Sequence, residues 1–339
     1  MFPIAAQRSR MNLTNFAQRL LVKISGFSFG RNVSKLYYPI KESILSILPI
    51  CDEFVFVLGK GDVDDKTLEI LSNIDSPKLK IVHSEWDTNA YPNGTENAHQ
   101  TDIAMQHCSG DWLFYVQADE VVHEKYLPII KARCEELKDN NEVEGLLFRY
   151  KHFFGDYNHY VDHHGWYQNE IRIVRNRPDI HSFESAQSFR RIPQFDGKSY
   201  RESKGTFKLN VARVEAYIYH YGWVRPPKFM QNKKKALDSI HKGNEKAETL
   251  HKGVAKEFDY GPLKKLPLFK ESHPAVMKEK IQAFDWEDKL NYTSSKLPDR
   301  AKFKHERIKY RFLSFLERTL NGGRHFFPFK NWILIKAEG

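Results

Sequence analysis

Trp112-Leu113-Phe114-Tyr115-Val116-Gln117-Ala118-Asp119-Glu120 is an apolar run that drives straight into an acidic turn. A short apolar run bounded by turn residues reads as a buried strand. In an open α/β sheet, the carboxyl ends of the strands carry the ligand-binding side chains, so Gln117 to Glu120 are the first place to look for chemistry.

Working outward, three more short apolar runs, at 21–27, 54–58 and 79–83, are each bounded by Gly, Asp, Ser or Pro. Between the first two, Leu36, Ile40, Ile44 and Ile47 or Leu48 recur at helical spacing, with Lys41, Glu42 and Ser43 on the other face. Helices are also expected over 67–74, over 96–108 with a stop at Ser109-Gly110, and over 125–138. Strands alternating with helices predict β-α-β units on a mainly parallel sheet, flanked by helices, of the α/β class. An aromatic-rich strand at 143–154 makes the sheet mixed. From about Lys228 the composition turns Lys-rich and helix-prone, with no strand pattern following. The expected organisation is a lead segment at 1–20, an α/β domain at 21–227 with halves at 21–122 and 123–227, and a basic, mainly helical extension at 228–339.

The formal charge of +10 comes from 53 Lys and Arg against 43 Asp and Glu. That surplus favours polyanionic partners as a class, whether nucleic acid, an anionic membrane surface or a diphosphate-bearing substrate. Cys51, Cys108 and Cys134 are widely spaced and suggest neither a disulfide framework nor a zinc knuckle. With no apolar block of signal-peptide or membrane-span length, a cytoplasmic location is expected. Asn93-Gly94-Thr95 then reads as a plain turn. No zinc-finger, basic-zipper or RNA-recognition signature appears, which counts against nucleic acid.

All four strand ends are polar. Strand one runs into Ser28, Arg31 and Asn32; strand two into Gly59-Lys60-Gly61-Asp62-Val63-Asp64-Asp65; strand three into Ser84, Glu85 and Asp87. Two acidic turns at adjacent strand ends suit a base-and-ribose pocket beside a divalent cation. Mg²⁺ or Mn²⁺ takes carboxylate and phosphate oxygens and neutralises charge on a leaving nucleoside diphosphate. Asp119 is the first choice of ligand.

Over 21–225 the chain resembles the family 2 glycosyltransferases of the GT-A fold, and bacterial members that build lipopolysaccharide or surface glycans in particular. The resemblance is carried by Arg31-Asn32 after the opening strand, the Asp62 to Thr67 loop ending in Asp-x-Thr, the segment from Asn97 to Gly110-Asp111-Trp112, and Gln117-Ala118-Asp119-Glu120. It implies a nucleoside-diphosphate-sugar donor and a glycan or lipid-linked acceptor. Arg31, Asn32, Asn97 and Gln117 would fall at the nucleotide sugar, with Asp62 or Asp64 at the base. Gln117 stands where the family's motif has its first aspartate; it can still hydrogen-bond a ribose hydroxyl, with one carboxylate fewer for the metal. The resemblance also implies His220, in Tyr217-Ile218-Tyr219-His220-Tyr221-Gly222-Trp223, as a metal ligand beside Asp119. An inverting transfer needs a base at the acceptor hydroxyl, and the likeness of 171–176 and 181–184 to the family's acceptor-side stretch implies Glu184 in that role, with Asp179 and His181 as substitutes.

Two further features are read without the resemblance. His159, Asp162, His163 and His164 lack a regular metal-binding spacing, and with Trp166 and Tyr167 they offer stacking and hydrogen-bonding surfaces to a sugar. The segment 310–318, with Phe326, Phe327 and Trp332, interleaves aromatics with bases; it suits either peripheral contact with a membrane surface or a helix packed on the catalytic domain. Two competing classes are a nucleotidyltransferase, for which Gly26-Phe27-Ser28-Phe29-Gly30-Arg31 is a poor phosphate loop, and a non-catalytic glycan- or nucleic-acid-binding protein with a decayed site at Gln117.

Overall fold

The computed structural model describes residues 22–293 and 300–336. The expected lead segment at 1–20 lies outside the described residues. The strands β1 (Ile24–Gly30), β2 (Glu53–Gly59), β3 (Leu79–Ser84) and β4 (Trp112–Tyr115) pair in parallel in the order β3-β2-β1-β4. Between them run the helices α1 (Ile40–Ile47), α2 (Thr67–Ser72) and α3 (Thr95–Gln106). Every residue of β2 and of β4 is buried, as strands covered on both faces must be.

Alternate strand residues feed two cores, as a period of two requires. Phe54, Phe56, Trp112 and Phe114 pack with Ile40, Ile44 and Ile47 of α1 and with Ile130 and Cys134 of α4 (Leu127–Glu136). Val55, Val57, Leu113 and Tyr115 pack on the other face with Ala104 and Met105 of α3. The three cysteines are free thiols.

Beyond β4 the sheet becomes mixed. β8 (Asn169–Arg175) runs antiparallel to β4 and to β6 (Gly145–Phe154), and the long β11 (Phe207–Trp223) lies parallel to β6. β10 (Ser188–Arg191) and β9 (Ile180–Phe183) complete that edge. The expected α/β class, with helices flanking a mixed sheet, is the one the chain adopts.

Local differences have identifiable causes. Leu36 lies in the turn before α1 rather than in it, because Pro39 disfavours helical backbone at Tyr38 and α1 begins at Ile40. A short strand, β5 (Glu120–Val122), follows the acidic turn before α4 and pairs antiparallel with β11, His220 opposite Glu120. In the last third, β12 (Trp332–Leu334) adds to β11 in parallel, where no strand was expected. Here too are the helices α5 (Pro227–Lys242) and α8 (Ile308–Leu320), with α6 (Asn244–His251) and α7 (Lys278–Gln282) between them. Phe258, Tyr260 and Trp286 from this region share a third core with Phe153, Phe154 and Tyr221.

Candidate functional site

The pairing of β5 with β11 sets the acidic turn. Tyr221 N donates to the Asp119 carbonyl at 2.8 Å, which holds Asp119 beside the end of β11. The two carboxylates then point in opposite directions. Glu120 turns into the core, where Arg172 Nε and Nη2 donate to it at 2.8 Å each and Tyr150 OH donates at 2.7 Å. Asp119 turns into a cavity of about 350 Å³ at the carboxyl ends of β1 and β4.

Three cationic or basic groups surround Asp119. Lys233 Nζ of α5 donates to Asp119 Oδ2 at 2.8 Å and to the Gly222 carbonyl at 2.8 Å. His220 Nε2 stands 3.8 Å and Arg225 Nη2 3.9 Å from the same oxygen. Burial would raise the Asp119 carboxyl, but the charges of Lys233 first and then Arg225 outweigh it and hold the group well below the usual carboxylate range. Burial and the neighbouring Arg225 bring the Lys233 ammonium down to about 8 against the pull of Asp119.

The state of His220 follows from its neighbours. His152 Nε2 lies 2.7 Å from the Tyr167 carbonyl, which can only accept, so that nitrogen carries the proton. Burial pushes His152 down to about 4 and His220 well below its ordinary value, so both rings are neutral. His152 Nδ1 therefore accepts from His220 Nδ1–H at 3.0 Å. The His220 Nε2 lone pair is left facing Asp119. A side chain at position 222 would fill this corner: a Cβ there would lie 2.7 Å from Asp119 Oδ2 and collide with His220 Nε2.

Of the residues expected at the site, Arg31, Asn97, Gln117, Asp119 and His220 all line this one cavity. Gln117 faces it as part of the wall, its Nε2 donating to the Ala186 carbonyl at 3.0 Å. Asn97 Nδ2 donates to Ser185 Oγ at 3.0 Å.

Asn32, Asp62 and Asp64 do not join them. Asn32 Oδ1 accepts from Asp62 N at 2.8 Å, and Lys35 Nζ holds both Asp62 and Asp64 at 2.6 Å. Asp62 lines a separate, shallower cavity with Gly59, Lys60 and Glu85. The Asp-x-Thr end of this loop is structural: Asp65 Oδ1 accepts from Ser34 Oγ and Thr67 Oγ1 at 2.7 Å each, and Thr67 Oγ1 accepts from Val33 N at 3.0 Å, tying the first two strand ends together.

Glu184 is half-buried and outside the cavity lining, one residue before Ser185, which is in it. It sits in a tight turn with φ 59°, and Ala186 has φ 57°, left-handed values that cost energy outside glycine. His181 Nδ1 pairs with buried Asp102 Oδ2 at 2.8 Å, and Asp179 with Arg177 at 2.8 Å. His159, Asp162 and His164 go to three different partners, Asp156, Arg318 and Glu317.

A resident Mg²⁺ or Mn²⁺ needs several oxygen ligands. The wall offers Asp119 Oδ2, already neutralised by an ammonium, and His220 Nε2. Both Glu120 oxygens are committed elsewhere, and Gln117, whose Nε2 is held by the Ala186 carbonyl, adds at most a neutral amide oxygen, so one carboxylate already paired to an ammonium is all the charge the wall offers a cation. Among the described residues no group of three or more His, Cys, Asp or Glu side chains could hold a metal ion. The residues present do not fit a resident divalent cation.

Lys233, Arg225, His152 and Ser185 were not singled out by the sequence reading. Lys233 had a signal: it falls with Met230, Leu237 and Ile240 at helical spacing on the cavity-lining stripe of α5. A lysine on an apolar stripe calls for a buried partner.

No protein-family model matches the chain, and no curated protein matches it. Among solved structures it is similar to S. aureus TarS, with a TM-score of 0.37 and 17% identity over 69% of this chain and 41% of that one. It is similar to a mannosyltransferase, PcManGT from Pyrobaculum calidifontis, in complex with GDP-Man and Mn²⁺ (TM-score 0.29, 16% identity, 37% of this chain and 35% of that one). It is also similar to glucosyl-3-phosphoglycerate synthase from Mycobacterium tuberculosis, in complex with Mn²⁺, UDP and phosphoglyceric acid (TM-score 0.27, 17% identity, 38% and 43%). The chain thus spans less than half the length of these three proteins.

Proposed function

We propose that the chain transfers a glycosyl group from a nucleoside-diphosphate sugar to a hydroxyl of a glycan or lipid-linked acceptor, as the GT-A family 2 enzymes it resembles in sequence do. The observation that carries this reading is the charge of the cavity. Arg31, Lys233 and Lys234 line it against the single carboxylate of Asp119, a surplus of two positive charges. A diphosphate esterified at both ends carries two negative charges. Phe29 and Trp86, with ring centroids 6.1 Å apart, give the same cavity an aromatic wall suited to a base.

In this reading Gln117 and Asn97 address the nucleotide sugar, and Glu184 takes the proton of the acceptor hydroxyl as the transfer inverts the anomeric centre. The left-handed turn at 184–186, tethered by Gln117, supports a role there, since strained backbone gathers at functional sites. Release of UDP or GDP from a panel of nucleotide sugars, with glycan and lipid-linked acceptors, tests the assignment. One donor should be consumed, and Glu184→Gln should slow it by about 100-fold, within the range for loss of a general base. If no donor is consumed, the assignment fails. Gly222→Ala, which crowds Asp119 and His220, is expected to weaken UDP or GDP binding by about tenfold; unchanged binding in titration calorimetry would count against this corner as part of the site.

The C-terminal region supports a reading of peripheral attachment to an anionic membrane. Helix α8 buries Ser314 and Glu317 and exposes Ile308, Phe312, Phe315 and Leu320, with Phe327 and Phe329 exposed beyond it. Ile308, Phe312 and Phe315 thus form an apolar face turned away from the protein, while Leu313 and Leu316 are half-buried, and Lys309, Arg311 and Arg318 lie on the same helix. Among the described residues, no helix is long and apolar enough to cross a membrane. The full chain is expected to co-sediment with vesicles containing anionic lipid and not with neutral ones, and Phe312→Ser with Phe315→Ser to abolish this without lowering the melting temperature. Equal recovery with both vesicle types would contradict it.

A further inference from the structure

We infer that Lys233 supplies, from within the chain, the positive charge at the donor diphosphate that a divalent cation supplies in metal-assisted transfer, so that this site works without a metal. The inference rests on the reading of the cavity as a nucleotide-sugar site.

The position of Lys233 is built rather than incidental. It is 7% exposed, its ammonium is fixed by Asp119 and the Gly222 carbonyl, and its Nζ lies over Tyr38, 5.0 Å from the ring centroid. Behind it Arg225 is fully buried over the same ring, 4.6 Å away. Arg225 Nη1 donates to the Leu36 carbonyl at 2.6 Å, while Nε and Nη2 have no hydrogen-bond partner among the described residues. Buried donors without acceptors are costly. One carboxylate thus serves two buried cations, of which Lys233 lines the cavity, where anionic oxygens from a ligand would meet its charge.

The chemistry asks for such a charge. The acceptor oxygen forms a bond to the anomeric carbon, the bond from that carbon to the phosphate oxygen breaks, and the electron pair leaves with the nucleoside diphosphate. The acceptor proton passes to the base. The leaving group gains one negative charge, and an ammonium held in a dry, fixed position is suited to meet it.

Calorimetric titration of the full chain with UDP and with GDP, in Mn²⁺ and then in chelator, tests this. The preferred nucleotide should bind with affinities within about threefold in the two conditions. Lys233→Met should weaken binding in chelator by at least roughly tenfold, as loss of a charge-assisted contact does, while Lys233→Arg should retain most of it. Binding of the wild-type chain that appears only with Mn²⁺ overturns the inference and leaves the functional reading standing. Lys233→Met binding like wild type also overturns it. Absence of binding in both conditions overturns the functional reading and the inference together. The two wild-type arms need no variant to fold.

Discussion

Asp119→Asn is expected to lower turnover of the donor by at least about 100-fold, or roughly 3 kcal/mol in the barrier, in the range found when a preorganised electrostatic group is removed. The asparagine keeps the size of the side chain and an oxygen that Lys233 can reach, but removes the charge that holds the ammonium protonated inside the protein. Lys233 and Arg225 are then buried together without a counter-charge, so the cost falls on the cation that faces the leaving diphosphate. The ion cluster around Oδ2 also bears on folding: the alanine variant strands two buried cations and should melt below wild type, with Asn less affected. Turnover near wild type in either variant would remove Asp119 from the mechanism.

The largest effect on stability is expected one residue away. Glu120 and Arg172 are both fully buried, paired through two hydrogen bonds of 2.8 Å, and Tyr150 OH and Gln117 N donate to the same carboxylate at 2.7 and 3.1 Å. Glu120→Gln leaves the guanidinium buried without its charge partner, at a cost of about 3–5 kcal/mol. Glu120→Leu combined with Arg172→Met should recover much of that loss, because removing both charges also removes the desolvation cost of the survivor. Urea unfolding of the single and double variants measures the difference. A Glu120→Gln midpoint indistinguishable from wild type would show that the pair does not hold the turn. Because this pair anchors the residue following Asp119, its loss should also blur the site.

The parallel half of the sheet was legible in the sequence because buried strands need continuous apolar runs, and 54–58 and 112–116 are unambiguous runs of that kind. The same logic placed Asp119, whose position at a strand end follows from local order alone. The adjacent Glu120 could not be told apart from it by sequence: which carboxylate faces the cavity depends on the antiparallel pairing of β5 with β11, a contact about a hundred residues distant in the chain. Asp62 and Asp64 were drawn to the site by their residue type, but Lys35, which captures both, carries no signal of its own. Lys233 sits in a Lys-Lys-Lys run that reads as solvated, and only the apolar stripe of Met230, Leu237 and Ile240 marks the middle of the helix as facing inward. Helix α8 misleads in the opposite sense. Its aromatic residues read as core, yet Phe312 and Phe315 are exposed while Ser314 and Glu317 are buried, because His164 offers Glu317 a partner at 2.6 Å.

The central claim is that the cavity beside Asp119 receives a nucleoside diphosphate, and equilibrium titration of the full chain with UDP and GDP addresses it directly. The account predicts saturable one-to-one binding of one of the two, weakened by roughly tenfold in Arg31→Ala, which removes a cation from the cavity wall. Failure of both nucleotides to bind at millimolar concentration, by a chain that melts cooperatively, would contradict it.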